Sequence, residues 1–301
     1  MPFPKFVKLV EVGPRDGLQN ELKIVSTKTK IEFINLLSET GLSVIEVGSF
    51  VSSKWVKQLA DTSDVLKGIK KNSNVHYIVL VPNLKGFESA MLSNATEIAV
   101  FTTASEQFSQ KNTRCSVKES LDRISEIIKS AQPHHVVIRA YLSCVMGCPY
   151  EGDVAIEKTA ALANQLYQMG CREISLGDTI GVGTINKTKR LIETISQFVP
   201  IEKLAVHFHD TYGQALANIY AALEMGVAIV DSSISGLGGC PYAKGATGNV
   251  ATEDVLYLLN GMGIETGVDL KKLMKAGQFI SAELNRAPNS KIGQVWMGRN
   301  D

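Results

Sequence analysis

The stretch Leu204–Ile234, LAVHFHDTYGQALANIYAALEMGVAIVDSSI, reads as strand, helix and strand within about 30 residues. Leu204–His209 is short, apolar and β-branched, whereas Gln214–Met225 carries its apolar residues at helical spacing. Gly226 stands where a left-handed helix C-cap belongs, and Ala228–Ile234 is apolar again. Strands joined through a helix in this way run parallel.

The same unit recurs on the N-terminal side. Strands are expected at Val7–Val12, Val44–Gly48, Val75–Val81, Glu97–Thr102, Val136–Leu142 and Glu173–Leu176, ahead of Leu204–His209 and Ala228–Ile234. Between them, Thr27–Thr40, Ser116–Ser130, Asp153–Met169 and Thr184–Phe198 have a helical period. Gly41 and Gly170 repeat the cap signal of Gly226, and Asp153 is expected as an N-cap. Eight parallel βα units close into an α/β fold of the (β/α)8 TIM-barrel type, in preference to a doubly wound open sheet. The whole chain, 1–301, reads as one catalytic barrel domain. Its last part, from about residue 265, is expected to form C-terminal helices, with one at Asp269–Asn285.

Composition agrees with one large domain. The chain has 301 residues, 45% hydrophobic and 20% charged, with no linker or low-complexity tract to divide it. A net charge of +1, from 31 basic and 30 acidic side chains, argues against a nucleic-acid partner. No apolar run approaches the ~20 residues of a membrane span, so no membrane partner is expected. The opening MPFPKFVKLVEV has neither a signal peptide's apolar stretch nor a transit peptide's composition. Five scattered cysteines suit reduced thiols, and a cytoplasmic location is expected. Cys144 and Cys148 make a C-x3-C pair, but no second pair follows, which argues against a structural zinc.

In such a barrel, chemistry sits at the carboxyl ends of the strands, and the unusual residues gather there. Strand one ends in Arg15 and Asp16, strand two carries Glu46 within an apolar run, and strand six ends in Asp178. Strand seven carries His207 and His209, and strand eight leads into the loop Gly236–Asn249 with Cys240. Residues i and i+2 of a strand share a face, so the two histidines point together while Phe208 points away. Two imidazoles side by side in a dry interior each need a partner, and a shared cation satisfies both. The alternative is two separately hydrogen-bonded core histidines.

Asp16 adds a carboxylate and Asn249 an amide oxygen, a donor set suited to Mg2+ or Mn2+ with positions open for substrate oxygens. A non-haem iron oxygenase shares the two-histidine, one-carboxylate set, but nothing in the sequence marks an oxoacid site. Arg15 offers a permanent charge to an oxygen becoming an enolate, and a salt bridge to Glu46 or Asp178 would coexist with that role. Five glycines make the Cys240 loop a candidate lid; it lacks the lysine–serine ending of a phosphate loop.

Five motifs now stand together: VEVGPRDGLQNE (Val10–Glu21), IEVGSFVSSKWVKQLADT (Ile45–Thr62), SLGDTIGVGT (Ser175–Thr184), VHFHDTYGQALAN (Val206–Asn218) and SGLGGCPYAKGATGN (Ser235–Asn249). They resemble the 3-hydroxy-3-methylglutaryl-CoA lyases over nearly the whole chain. The wider group includes isopropylmalate and homocitrate synthases and ketoacid aldolases, which share the RDG and H-x-H elements. The Cys240 loop and the RDGLQNE form are closer to the lyases.

The resemblance implies cleavage of (S)-3-hydroxy-3-methylglutaryl-CoA to acetyl-CoA and acetoacetate, a reaction of leucine degradation. It implies metal ligands Asp16, His207, His209 and Asn249, a substrate-contacting Arg15 and a catalytic Cys240. A base near the metal, His207 or Asp16, would take the hydroxyl proton, with Asp178 and Glu46 orienting the surroundings. Lys111 and Asn112, after strand four, are candidates to contact the CoA nucleotide. A homodimer acting on a small acyl-CoA is expected. A synthase or aldolase of the same group, and a non-catalytic acyl-CoA-binding protein, are the competing readings.

Overall fold

The computed structural model describes residues 3–239 and 248–298. Eight strands form a closed barrel in sequence order, every neighbouring pair parallel. They are β1 (Lys8–Glu11), β2 (Val44–Ser49), β3 (His76–Leu80), β4 (Glu97–Thr103), β5 (Val137–Ser143), β6 (Glu173–Asp178), β7 (Leu204–Phe208) and β8 (Ile229–Ser232). The helices are α1 (Thr27–Ser38), α2 (Thr62–Gly68), α3 (Leu84–Leu92), α4 (Glu106–Thr113), α5 (Val117–Ala131), α6 (Ile156–Gln168), α7 (Ile185–Ile195), α8 (Ala215–Glu224), α9 (Thr252–Gly261), α10 (Leu270–Leu284) and α11 (Lys291–Met297). This is the (β/α)8 barrel expected from the spacing of apolar runs.

The ends of the elements follow local chemistry. Gly41, Gly170 and Gly226 all adopt positive φ after their helices, as a left-handed cap requires. Ser116 and Glu119 close α5 with a reciprocal capping box. Asp269 caps α10 through the Lys271 and Lys272 amides, and Asn285 ends it in the left-handed conformation. Asp153, however, is not a cap. α6 starts three residues later, its N-cap position falls to Ala155, and Asp153 pairs with Lys187 at 2.8 Å near the surface.

Strand alternation sorts side chains into two cores. Leu9, Ile45, Val47, Val206 and Phe208 point outward and pack beneath the helices. Val10, Val44, Ile78, Ala99, Ala205 and Ile229 point into the barrel. By the same parity Glu46, Arg139, Ser175, His207 and Asp231 also point inward, so polar and charged groups run through the barrel's filling. Among the described residues no helix is long and apolar enough to cross a membrane.

Candidate active site at the barrel mouth

β1 ends in a wide helical turn over Gly13–Gly17, in which the Asp16 and Gly17 amides both donate to the Val12 carbonyl. This turn directs Arg15 and Asp16 into the mouth. Glycine is needed at Gly13, where a Cβ would lie 2.6 Å from the Glu11 carboxylate. Arg15 Nε donates to Glu46 Oε2 at 2.7 Å and its Nη1 to Asp16 Oδ1 at 2.5 Å. The guanidinium carbon sits 5.3 Å from the centre of the Tyr141 ring. Burial acts to lower the Arg15 pKa, but Glu46 and Asp16 outweigh it and keep the guanidinium charged.

β7 delivers the histidines as its alternation requires, with ring centres 5.6 Å apart. His207 Nε2 lies 3.7 Å from Asp16 Oδ2. One donor atom from each of Asp16, His207 and His209 can be chosen so that all three lie within 4.8 Å of one another. Burial would raise the pKa of Asp16, yet Arg15 and then His207 hold it at about 2, so it is ionised. Burial and the neighbouring His207 depress His209 to about 4, so its ring is neutral with a lone pair to offer. Among the described residues, His209 Nδ1 is buried without a hydrogen-bond partner. An ionised carboxylate beside two imidazoles, one carrying an orphaned nitrogen, is a donor set that fits a divalent cation.

Asn249 joins the group from beyond β8, its amide donating to Asp16 Oδ2 at 2.8 Å. A cation would take Asn249 only through its amide oxygen, turned from the orientation seen. Gly238, at a φ of 109°, lies so close that a Cβ there would come within 2.9 Å of the Asn249 amide nitrogen. Cys240 lies outside the described residues.

These groups open into a cavity of about 600 Å³. Lys111 and Asn112, in the last turn of α4, line its outer wall together with Trp55 and Arg114. Lys111 Nζ stands 3.8 Å from the centre of the Tyr150 ring, and the Arg114 guanidinium 4.3 Å from that of Trp55. Basic and aromatic groups at the rim suit a long anionic ligand reaching down to the Asp16–His207–His209 group.

Asp178 departs from expectation. Ser175 and Gly177 are the inward positions of β6, so Asp178 falls on the opposite parity and does not line the mouth. Its carboxylate instead accepts the Val182 and Gly183 amides at 3.1 and 2.8 Å, bracing the loop after β6. Burial lifts its pKa to about 6 against those hydrogen bonds. Missed in the sequence were Asp231 and Arg139, buried within β8 and β5. Their signal was the one that marked Glu46, a charge inside an apolar strand.

The family pattern described as HMGL-like matches residues 6–280. The mouse protein named 3-hydroxy-3-methylglutaryl-CoA lyase, cytoplasmic, is 60% identical over 97% of this chain and 85% of its own length. The crystal structure of hydroxymethylglutaryl-CoA lyase from Pseudomonas aeruginosa is 57% identical, covers 99% of this chain and all of its own, and superposes with a TM-score of 0.98. The lyase of Acinetobacter baumannii, solved in complex with coenzyme A and 3-methylmalate, is 35% identical over 98% of this chain and 96% of its own, with a TM-score of 0.93. The chain belongs to the HMGL-like family.

Proposed function

We propose that the mouth residues divide between them the work of breaking one carbon–carbon bond. The chain cleaves 3-hydroxy-3-methylglutaryl-CoA to acetyl-CoA and acetoacetate. The observation that carries the site assignment is the convergence of Asp16, His207 and His209 beside the charged Arg15.

Asp16, His207, His209 and Asn249 would hold Mg2+ or Mn2+. When bound, such an ion acts as a Lewis acid on substrate oxygens and lowers the hydroxyl pKa. The proton of the tertiary hydroxyl passes to the Asp16 carboxylate. The C–O⁻ electrons form the ketone of acetoacetate, and the pair in the breaking C–C bond moves onto the thioester α-carbon. Arg15, fixed by Glu46, stabilises the enolate oxygen that results. Cys240 gives a proton to that carbon, forming the acetyl group, and its thiolate regains the proton held by Asp16, so the overall reaction consumes no co-reactant. Lys111 and Asn112 contact the CoA nucleotide at the rim. Asp178 supports the reaction only by bracing the loop after β6. The reading includes a homodimer working in the cytoplasm, the location in the names of the mouse and human relatives.

Incubation with Mn2+ and 3-hydroxy-3-methylglutaryl-CoA, followed by enzymatic detection of acetoacetate, tests the reading. Release of acetoacetate and acetyl-CoA in equal amounts is expected. Absence of both, with condensation of acetyl-CoA onto a ketoacid instead, would assign the chain to a synthase.

A further inference from the structure

Beneath the mouth the barrel is filled by an unbroken line of alternating charges. Lys8 pairs with Glu173, and Glu173 Oε1 accepts from Arg139 Nε at 2.6 Å. Arg139 Nη2 donates to Asp231 Oδ1 at 2.5 Å, and His207 Nδ1 lies 3.3 Å from Asp231 Oδ2. Ser175 Oγ donates to that same Oδ2 at 2.7 Å, and Arg139 Nη1 donates to the Tyr141 hydroxyl at 3.0 Å. Arg139, Ser175 and Asp231 are all buried.

We infer that Asp231 is a positioning residue, fixing His207 as the Nδ1–H tautomer so that the Nε2 lone pair faces Asp16 and the mouth. Arg139 acts through it by fixing the carboxylate. The inference rests on the metal reading above for its purpose, since a lone pair at Nε2 is what a cation needs.

The argument is one of donors and acceptors. The guanidinium of Arg139 can only donate, so the atom at the Oδ1 position must be an acceptor. The Oδ2 atom of a carboxylate is also an acceptor only, and it receives the Ser175 hydroxyl. In the neutral ring the nitrogen facing Oδ2 must therefore be the one that carries the proton, which leaves Nε2 bare. A hydrogen-bonded carboxylate behind a ligating imidazole sets its tautomer and orientation and strengthens it as a ligand.

The same reasoning identifies the decisive variant. In Asp231→Asn the amide oxygen must remain opposite Arg139, which places the NH2 group opposite His207. Nδ1 then has to accept, the ring proton moves to Nε2, and a hydrogen occupies the place of the lone pair.

Three measurements test this. In the metal-free wild-type protein, 15N NMR of labelled histidine should show His207 with a protonated Nδ1 and a bare Nε2, the signal being assigned by its loss in His207→Gln. Finding the opposite tautomer overturns the inference, and this readout does not depend on any Asp231 variant folding. In Asp231→Asn the tautomer should reverse, and Mn2+ affinity, read by the electron paramagnetic resonance signal of the free ion, should fall about 10- to 100-fold. Unchanged affinity also overturns it. Ser175→Ala removes a neighbouring bond but keeps the carboxylate, and should leave tautomer and affinity near wild type. A loss there equal to that of Asp231→Asn would reduce the network to general packing and overturn the assignment. Failure of the wild-type protein to take up Mn2+ would instead overturn the metal reading, and with it the purpose assigned to Asp231.

Discussion

Arg15 Nε donates to Glu46 Oε2 across 2.7 Å, joining the turn after β1 to the wholly buried carboxylate of β2. The guanidinium is thereby gripped on two sides, since its Nη1 also meets Asp16. Burial raises the pKa of Glu46 and Arg15 lowers it, so each charge is tolerable inside the barrel because of the other. A planar fork held at two points is preorganised for an oxygen that becomes negative only during reaction.

Arg15→Lys keeps the charge and loses the fork. A fall in kcat of about 10²–10³ is expected, the size found for removal of one oxyanion donor, with Mn2+ stoichiometry retained. Steady-state kinetics beside metal analysis will read both, and a lysine variant with normal kcat would show that charge alone suffices.

His209→Ala removes the ring whose Nδ1 has no hydrogen-bond partner among the described residues. Stoichiometric Mn2+ should be lost while circular dichroism stays that of the folded barrel. Metal content unchanged after gel filtration would sink the site assignment.

Cys240→Ser is expected to bind Mn2+ normally and to lose most turnover, about 10²–10⁴-fold if the thiol is the proton donor. The residue lies outside the described part of the chain, so this prediction stands on the sequence motif. Near-normal turnover would remove Cys240 from the mechanism.

Glu253 lies buried between the barrel and α10, accepting the Ser235 amide at 2.9 Å. Burial raises its pKa from 4.5 to about 8. A raised acid pKa means that the native state keeps its proton after the unfolded chain has lost it. The stabilisation is therefore complete below about pH 4.5 and declines as pH rises toward 8, by up to about 1.4 kcal/mol per pH unit. Glu11, raised by burial to about 7, adds to the decline over the lower part of that window. Glu253→Gln cannot ionise, so thermal melts from pH 5 to 9 should fall less steeply than those of the wild-type protein. Parallel curves would mean that Glu253 is ionised throughout.

The barrel was legible because period-two and period-3.6 patterns alternate without interruption, and the histidine pair because parity alone puts His207 and His209 on one face. The pairing of Arg15 with Glu46 also followed from a charge that an apolar strand cannot leave alone. Parity would have corrected Asp178, had it been counted from Ser175. Asp231 and Arg139 are a different case. Each is visible as a charge in a strand, but that they meet depends on the register of β5 through β8 around the barrel, which no local pattern states. Asp153 shows the opposite hazard, a good capping residue that a neighbouring lysine takes instead.

Asp16 and Asn249 come from opposite ends of the sequence and touch only because β1 lies alongside β8. A nascent chain leaving the ribosome thus carries Asp16 from the turn after β1, gains the two histidines only with β7, and gains Asn249 only after β8. A chain that stops at β7 lacks both Asn249 and the strand that seats β1 beside it. Uptake of Mn2+ during refolding would accordingly report the moment at which the ring of strands is joined.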